Sequence, residues 1–284
     1  MAAAKTSTKP AVIAISSHVA RGSVGNRAGV FALEALGYPA WSVPTVLLPW
    51  HPGHGPSTRI VPDDDAFAAF LADLATAPWL GEVGGILTGY LGSPAQAAAI
   101  ARLITTVKGA NPGVVYVCDP VIGDNGGLYV PAGTASAIRD VLLPLADIAT
   151  PNSFELGWLS GDSQPSLVEQ ARSLNVAKVL VTSAFKGDET GNLLVCEAAP
   201  LAIRHPSVSR PPNGLGDLTS ALFLAHKLAG ASDGAALRAV TSSVFALMRR
   251  SVERGADELT LETDADCLTA PPLDLALNSA ISDD

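Results

Sequence analysis

Short apolar runs alternate along the chain with longer segments in which apolar residues recur at helical spacing. The short runs predict strands near 11–15, 40–46, 84–88, 114–118, 146–150, 178–183 and 192–196. The longer segments predict helices near 26–36, 64–76, 94–108, 133–142, 165–174, 217–229 and 235–253. Gly37 and Gly255 stand where a helix is expected to stop.

The order of these elements indicates an α/β protein. Strands that alternate with helices are typical of a sheet built from crossover connections. Because the strands are apolar over their whole length, we expect most of them to be parallel and covered by helices on both faces, in three layers. No repeat or linker divides the chain, so we expect one domain over 1–284, with a flexible N-terminus at about 1–9 and a frayed acidic tail at about 276–284.

Composition excludes several classes of partner. Of the 284 residues 48% are hydrophobic, and the formal net charge is −9 with no basic block. Nucleic acid and anionic membranes attract cationic surfaces, so we expect neither as a partner. No apolar run reaches the roughly 18 residues of a membrane span, and the N-terminal segment MAAAKTSTKP has no apolar core. The three cysteines form no C-x-x-C pair, which indicates reduced thiols in a cytoplasmic protein.

A glycine turn stands directly before one predicted helix, in the segment Pro212-Asn213-Gly214-Leu215-Gly216-Asp217. Free N–H groups and the positive end of the helix dipole favour an anion there, and glycine lets the anion approach the backbone. A carboxylate beside a bound phosphate would be repelled, so Asp217 makes functional sense mainly as a base toward a hydroxyl that attacks the phosphate. The alternative is an N-cap aspartate after an ordinary turn. This segment alone leaves both interpretations open.

Polar side chains recur where the predicted strands end. They are Ser16, Ser17 and His18, then Thr88 and Tyr90, Asp119, Thr150 with Asn152 and Glu155, and Thr182 with Ser183. Each alone has an ordinary explanation as a turn former, a cap or a partner for the backbone. Ligands of parallel sheets gather at the carboxyl ends of the strands, so recurrence at five strand ends predicts a site at that edge.

These residues resemble the bacterial pyridoxal kinases of the ribokinase-like superfamily, in order from about residue 11 to about residue 250. The matching segments are Ser17-His18-Val19 with Gly22 and Gly25-Asn26, Pro44-Thr45-Val46 with His51, Thr88-Gly89-Tyr90-Leu91-Gly92, Cys118-Asp119-Pro120-Val121-Ile122-Gly123-Asp124 with Gly127-Leu128-Tyr129-Val130-Pro131, Thr150-Pro151-Asn152-Ser153-Phe154-Glu155-Leu156, and Gly214-Leu215-Gly216-Asp217-Leu218-Thr219-Ser220. The glycine-Asp turn and the Asn152/Glu155 pair are shared across the superfamily. The S-H-V, T-G-Y and D-P-V-x-G-D…Y-V-P segments point to vitamin B6.

The resemblance implies a ribokinase-like fold and the ATP-dependent phosphorylation of the 5′-hydroxymethyl group of pyridoxal, with pyridoxine and pyridoxamine as further candidates. Asp217 would be the base. The N–H groups of Gly214, Leu215 and Gly216 would form the anion hole for the transferred phosphoryl group.

The resemblance also implies how ATP and a metal are bound. Asp119 and Glu155 would act through Mg²⁺ and its waters near the nucleotide phosphates. Asn152 would help to place the metal or phosphate, with Thr182 and Ser183 beside the nucleotide. A monovalent cation such as K⁺ and a homodimer are implied as well.

The ring of the substrate would be held by Ser17, Thr45 and Tyr90, with His18 and His51 as further pocket or lid residues and Tyr129 as a further substrate-binding residue. Many relatives have glutamine where this chain has Ser16 and Leu47, and both positions lie near the ring pocket. His51 and His54 have a spacing that metal ligands can have, but they lie in a Pro/Gly loop with no third ligand nearby, which does not favour a metal site.

Two segments, 49–62 and 123–131, are predicted to be mobile loops at the strand ends. Loops of this kind can close over two substrates and exclude the water that would otherwise hydrolyse an activated phosphoryl group. We expect both to become ordered when ATP and pyridoxal bind.

Other functions stay open at this point. A kinase for hydroxymethylpyrimidine or a small sugar is compatible with the same fold, although the apolar stretch PTVLLPW suits a flat ring better than a sugar. A non-catalytic B6-binding protein would have no reason to keep Asp217 and Glu155. A nicotinamide-dependent dehydrogenase is disfavoured because the first strand leads into Ser16-Ser17-His18 instead of a G-x-G-x-x-G turn.

Overall fold

A computed structural model describes residues 9–161, 165–272 and 274–279. Within those ranges nine strands form one sheet in the order β11-β10-β9-β8-β7-β4-β3-β1-β2, and β5 and β6 form a separate hairpin. The strands are β1 Ala11–Val19, β2 Ala40–Leu48, β3 Val83–Thr88, β4 Val115–Cys118, β5 Gly123–Asp124, β6 Gly127–Leu128, β7 Ile148–Ala149, β8 Lys178–Val181, β9 Glu189–Val195, β10 Leu201–Pro206 and β11 Asn278–Ser279.

Helices cover both faces of this sheet. They are α1 Asn26–Ala35, α2 Asp64–Ala75, α3 Ala95–Ala110, α4 Ala132–Ala137, α5 Ser153–Ser160, α6 Leu167–Ser173, α7 Leu215–Leu228, α8 Asp233–Glu253 and α9 Asp266–Thr269. No helix within the described ranges combines the length and the apolar character that crossing a bilayer requires.

Most strand pairs are parallel, as the apolar pattern predicted. The pairs from β2 through β1, β3, β4 and β7 to β8 are parallel, whereas β9, β10 and β11 continue the sheet antiparallel. The α/β fold with a mostly parallel sheet and helices on both faces is therefore confirmed.

Alternate residues of β1 explain why the sheet has no wet face. Ile13 and Ile15 belong to a buried cluster that includes Phe67 of α2 and Leu103 of α3. Val12, directly before Ile13, belongs to a second cluster with residues of α1, α7 and α8. Since successive side chains of a strand point to opposite faces, both faces of β1 are buried under helices.

Several elements differ from the sequence prediction. The hairpin, α5, α9, β10 and β11 were not among the predicted elements. The hairpin strands, α5, α9 and β11 are short, and short segments carry little periodic signal. β10 has six residues, but Arg204 and His205 interrupt its apolar run. The predicted helix at 133–142 is α4 followed by one π-helical segment, Ile138–Leu142. Gly37 and Gly255 both have left-handed backbone, with φ of 78° and 66°, as expected after a helix.

The predicted ends need one correction. The expectation of a frayed tail from about 276 is wrong at Asn278 and Ser279, because their backbone pairs antiparallel with Ala202 and Leu201 of β10. Residues 280–284 of that tail and residues 1–8 of the predicted flexible N-terminus lie outside the described residues.

Phe223→Ala is expected to lower the free energy of unfolding by about 3 to 5 kcal/mol, because Phe223 of α7 is fully buried in the second cluster and the change leaves a cavity. Phe70→Ala serves as the matched control. Phe70 of α2 is 54% exposed, so its truncation should change stability by no more than about 0.5 kcal/mol. Urea unfolding of both variants measures the difference. Equal losses would contradict the assignment of the core.

Candidate active site

Helix α7 begins at a glycine that no other residue can replace without strain. Gly214 is the N-cap, with φ of 92°, and a Cβ at this position would run into the backbone carbonyl oxygen of Ser23. The helix geometry leaves the N–H groups of Leu215 and Gly216 without an acceptor inside the helix. Asp217 is the third helical residue, so the interpretation of Asp217 as the N-cap is wrong.

The Asp217 carboxylate lies at the mouth of this helix, half-buried. Burial raises its pKa to about 6, and hydrogen bonds from the N–H groups of Gly25 and of Asp217 itself oppose that rise. A carboxyl with a pKa near neutrality is suited to proton transfer, since it is ionised at physiological pH and still basic enough to accept a proton.

Asp119 follows β4 and is buried, with 4% of its surface exposed. Its pKa is well above the usual range because burial disfavours the charge and because the carboxylates of Asp217 and Glu155 repel it. The Thr150 hydroxyl donates to Asp119 Oδ1 at 3.1 Å. Ser220 Oγ of α7 lies 2.8 Å from Thr150 Oγ1. A chain of hydroxyl groups therefore connects Asp119 to the helix that carries Asp217.

Glu155 is held almost entirely by backbone N–H groups. Its Oε1 accepts from Ile122 at 3.0 Å and Gly123 at 3.4 Å, and its Oε2 accepts from Asn152 at 2.9 Å. Burial raises its pKa to about 8, although these three donors favour the ionised form. A direct metal contact would compete with the donors, whereas a contact through water would not.

Asn152 is the N-cap of α5 and forms a capping box with Glu155. Its Oδ1 accepts from Glu155 N at 2.9 Å, and its Nδ2 donates to the Gly123 carbonyl at 2.8 Å. The Asn152/Glu155 pair therefore fixes the β5–β6 hairpin to the start of α5.

The site has the oxygen donors of a magnesium site without a complete set of protein ligands. No group of three or more His, Cys, Asp or Glu side chains in the described part of the chain has the geometry to hold a metal. Mg²⁺ usually takes one or two carboxylates together with phosphate oxygens and waters. Mutual repulsion of the carboxylates at Asp119, Asp217 and Glu155 is what a divalent cation would relieve. The residues present fit Mg²⁺ bound together with a nucleotide.

The expected ring pocket is built around the backbone of Tyr90. The hydroxyl of Thr45, which is fully buried, donates to the Tyr90 carbonyl at 2.6 Å. The Tyr90 N–H donates to Ser16 Oγ at 3.1 Å. Ser17 is buried beside Gly25, where a Cβ would collide with it. Ser16 thus holds the backbone of Tyr90 in place at the expected ring pocket.

His51 and Tyr129 occupy the two loops that were predicted to close. His51 is half-buried and caps a short turn, Pro52–His54, by accepting the Gly53 N–H at 3.1 Å, and burial lowers its pKa. About half of the Tyr129 surface is exposed. Burial raises the pKa of Tyr129, and the charges of Asp124 and Glu155 raise it further.

Thr182 and Ser183 extend the end of β8 beside α5. The Thr182 N–H donates to the Pro151 carbonyl at 2.9 Å. Ser183 is exposed and has a positive φ of 49°, which is uncommon for a residue with a side chain. Both residues lie at the same edge as Asn152, as the positions of the strand ends predicted.

Residues with contacts in the site were missed by the sequence analysis. Ser220 lies three positions after Asp217 and so on the same face of α7, a spacing that could have indicated it. Arg59 donates to the Gly92 carbonyl at 2.8 Å and lies 3.4 Å from the Tyr90 hydroxyl. Glu258 contacts both His54 and Ser23. Arg59 and Glu258 are distant in sequence from their partners, and no motif marks them.

The known proteins that this chain resembles are kinases. A family model described as phosphomethylpyrimidine kinase matches residues 22–261. The pyridoxal kinase PdxY of Rubrobacter xylanophilus is 36% identical over 274 residues, which cover 92% of this chain and 94% of that protein. The pyridoxal kinase PdxY of Granulibacter bethesdensis is also 36% identical, over 87% of this chain and 92% of that protein.

Solved structures agree with the fold. A pyridoxal kinase from Leishmania donovani, in complex with ADP and pyridoxamine, superposes with a TM-score of 0.88 at 26% identity, covering 95% of this chain and 99% of that one. The pyridoxal kinase of Entamoeba histolytica, at 23% identity and a TM-score of 0.87 over 95% of this chain and 99% of that one, supports the fold alone. The chain therefore belongs to the phosphomethylpyrimidine kinase family and has the ribokinase-like fold of the pyridoxal kinases.

Proposed function

We propose that this protein is a pyridoxal kinase, which transfers the γ-phosphoryl group of ATP to the 5′-hydroxymethyl group of pyridoxal and so salvages vitamin B6 as pyridoxal 5′-phosphate. Pyridoxine and pyridoxamine are further candidate substrates. The observation that carries the proposal is the position of Asp217, whose raised pKa suits a base, in the first turn of α7 beside the uncovered N–H groups of a glycine turn. The names of the relatives support the choice of substrate.

The phosphoryl transfer follows from this arrangement. Asp217 accepts the proton of the substrate's 5′-hydroxyl group while the hydroxyl oxygen attacks the γ-phosphorus of ATP. The bond between the γ-phosphorus and the bridging oxygen breaks, and ADP leaves. The N–H groups of Gly214, Leu215 and Gly216 donate to the oxygens of the transferred group, where negative charge is concentrated. Gly214 and Gly216 have no side chain to cover these N–H groups.

Nucleotide binding is assigned to the neighbouring strand ends. Asp119, with Glu155 acting through water, would hold Mg²⁺, which supplies charge neutralisation for the phosphates. Asn152 would help to position these groups, with Thr182 and Ser183 beside the nucleotide. The high pKa of Asp119, raised by burial and by its neighbouring carboxylates, supports a cationic partner at this point.

Recognition of the ring is assigned to Ser17, Thr45 and Tyr90, with His51 and Tyr129 on the closing loops. Thr45 is fully buried and donates its hydroxyl proton to the Tyr90 carbonyl, so it would act by holding the backbone of Tyr90 beside the ring. Hydroxymethylpyrimidine is a second candidate substrate, favoured by the description of the matching family model. It has a flat ring and a primary hydroxyl of the same kind.

Other features implied by the resemblance stay predictions. They are a bound monovalent cation such as K⁺, a homodimer, a cytoplasmic location and the ordering of segments 49–62 and 123–131 on binding. We also propose that the chain acts as one domain, which the continuous nine-stranded sheet of the described residues supports.

The purified protein is expected to convert pyridoxal to pyridoxal 5′-phosphate with ATP and Mg²⁺, and to need both. Product formation is measured by chromatography, with pyridoxine, hydroxymethylpyrimidine and ribose as parallel substrates. Phosphorylation of hydroxymethylpyrimidine but of no B6 vitamer would support the residues proposed for phosphoryl transfer and overturn the proposal that the substrate ring is that of pyridoxal. No turnover of any of these alcohols would contradict the proposal.

The value of kcat/KM for pyridoxal is expected to fall as the pH is lowered through about 6. Asp217 accepts a proton only when ionised, and its raised pKa of about 6 means that the protonated form accumulates below that pH. Well below the pKa the loss should approach about tenfold per pH unit. Steady-state rates from about pH 4.5 to about pH 8, with circular dichroism to verify folding, measure the profile. An acid limb that is absent over this range would argue against Asp217 as the base.

A further inference from the structure

The Glu258 side chain lies between two loops that are far apart in sequence. Its Oε1 accepts a hydrogen bond from His54 Nε2 at 2.7 Å, within the predicted lid segment 49–62. Its Oε2 accepts the backbone N–H of Ser23 at 3.2 Å, in the loop between β1 and α1. Only 12% of the side chain is exposed, so the carboxylate is largely enclosed by these partners.

The loop between β1 and α1 is shaped to receive this carboxylate. Gly22 has φ of 114°, and a Cβ on it would lie 2.5 Å from Glu258 Oε1, so a side chain there would displace the carboxylate. The Ser23 hydroxyl donates to the Leu259 carbonyl at 2.9 Å in a buried contact. The loop is thereby fixed to residues 258–259 by two hydrogen bonds from Ser23.

The same loop reaches the groups that carry out the chemistry. The Ser23 carbonyl packs against Gly214, at the point where α7 begins. The Gly25 N–H donates to the Asp217 carboxylate. A shift of residues 22–25 would therefore move both the start of the anion hole and a hydrogen bond to the base.

The lid segment also lies close to the glycine turn. The turn Pro52–His54 carries Gly53, at which a Cβ would lie 3.5 Å from Asn213 Nδ2, directly before Gly214. His54 closes this turn onto Glu258. One carboxylate thus connects the lid, the loop between β1 and α1, and the start of α7.

We propose that Glu258 is a positioning residue, which couples closure of the lid segment 49–62 to the alignment of Asp217 and the Gly214–Gly216 turn. The proposal rests on the function assigned above. It predicts that loss of the Glu258 carboxylate loosens the lid and misaligns the phosphoryl-transfer groups together. Substrate affinity depends on other residues, so kcat should change more than the KM for ATP.

The neighbouring residue provides a matched control. Asp257 forms an ion pair with Arg21 at 2.8 Å, and both side chains are about 60% exposed. Arg21 also lies 3.9 Å from Glu258 Oε1, and its backbone N–H donates to the carbonyl of Pro49 at the start of the lid segment. Asp257→Ala leaves Arg21 and the contacts of Glu258 with His54 and Ser23 in place, so it removes a carboxylate from the same segment while keeping the proposed coupling.

The test combines hydrogen exchange of the lid with steady-state kinetics. Glu258→Ala should speed amide exchange in peptides of segment 49–62 in the ligand-free protein and lower kcat by about 10- to 100-fold, whereas Asp257→Ala should match the wild type in both. Glu258→Gln keeps one acceptor oxygen and should fall between them, which provides a second variant if the alanine variant does not fold. His54→Ala should loosen the lid and lower kcat less, since the Ser23 contact remains.

A folded Glu258 variant with wild-type lid exchange, or with wild-type kcat, would overturn the proposal. So would an Asp257→Ala variant that loses as much kcat as Glu258→Ala. Failure of the proposed function is distinct from these results, because the wild-type protein would then phosphorylate no substrate.

Discussion

Repulsion among three enclosed carboxylates is the constraint around which this site is organised. Asp119, Glu155 and Asp217 come from three separate segments. Burial raises the pKa of each, and the charges of neighbouring carboxylates raise the pKa of Asp119 and Glu155 further. Hydrogen bonds offset the unfavourable free energy of ionising these carboxyls. The donor is a hydroxyl for Asp119, three backbone N–H groups for Glu155 and the Gly25 N–H for Asp217. Such a cluster can bind a cation and accept a proton. Phosphoryl transfer to an alcohol requires both, a cation to neutralise the phosphates and a base for the hydroxyl proton.

The fold makes this cluster possible through the direction of its strands. Because β1, β3, β4, β7 and β8 are parallel, their carboxyl ends lie at one edge, and the residues that follow them converge. Helix α7 brings Asp217 and the glycine turn before it to the same edge. Its start depends on Gly214, since a side chain there would collide with Ser23 and push the helix away from the loop that supports Asp217.

Sequence patterns predicted the sheet, the long helices and the edge at which the site lies, because apolar periodicity and strand-end polarity are local signals. They also predicted the residues of the carboxylate cluster, through the order of the motifs. What they missed depends on contacts between distant segments. Ser220 shares a helix face with Asp217 and was within reach of the sequence, whereas the contact of Glu258 with Ser23 joins residues 235 positions apart. The hairpin at 123–128 was expected to be a loop because its two strands have two residues each.

Asp217 as the base is the central element of the proposed reaction. The measurement is the rate of pyridoxal 5′-phosphate formation by Asp217→Asn, together with the affinities of that variant for pyridoxal and ATP by calorimetry. The substitution keeps the shape of the side chain and removes its basicity, so kcat should fall by about 10² to 10⁴-fold while both ligands still bind. Turnover near the wild-type rate would contradict the account, and loss of binding with kcat unchanged would reassign Asp217 to holding the substrate.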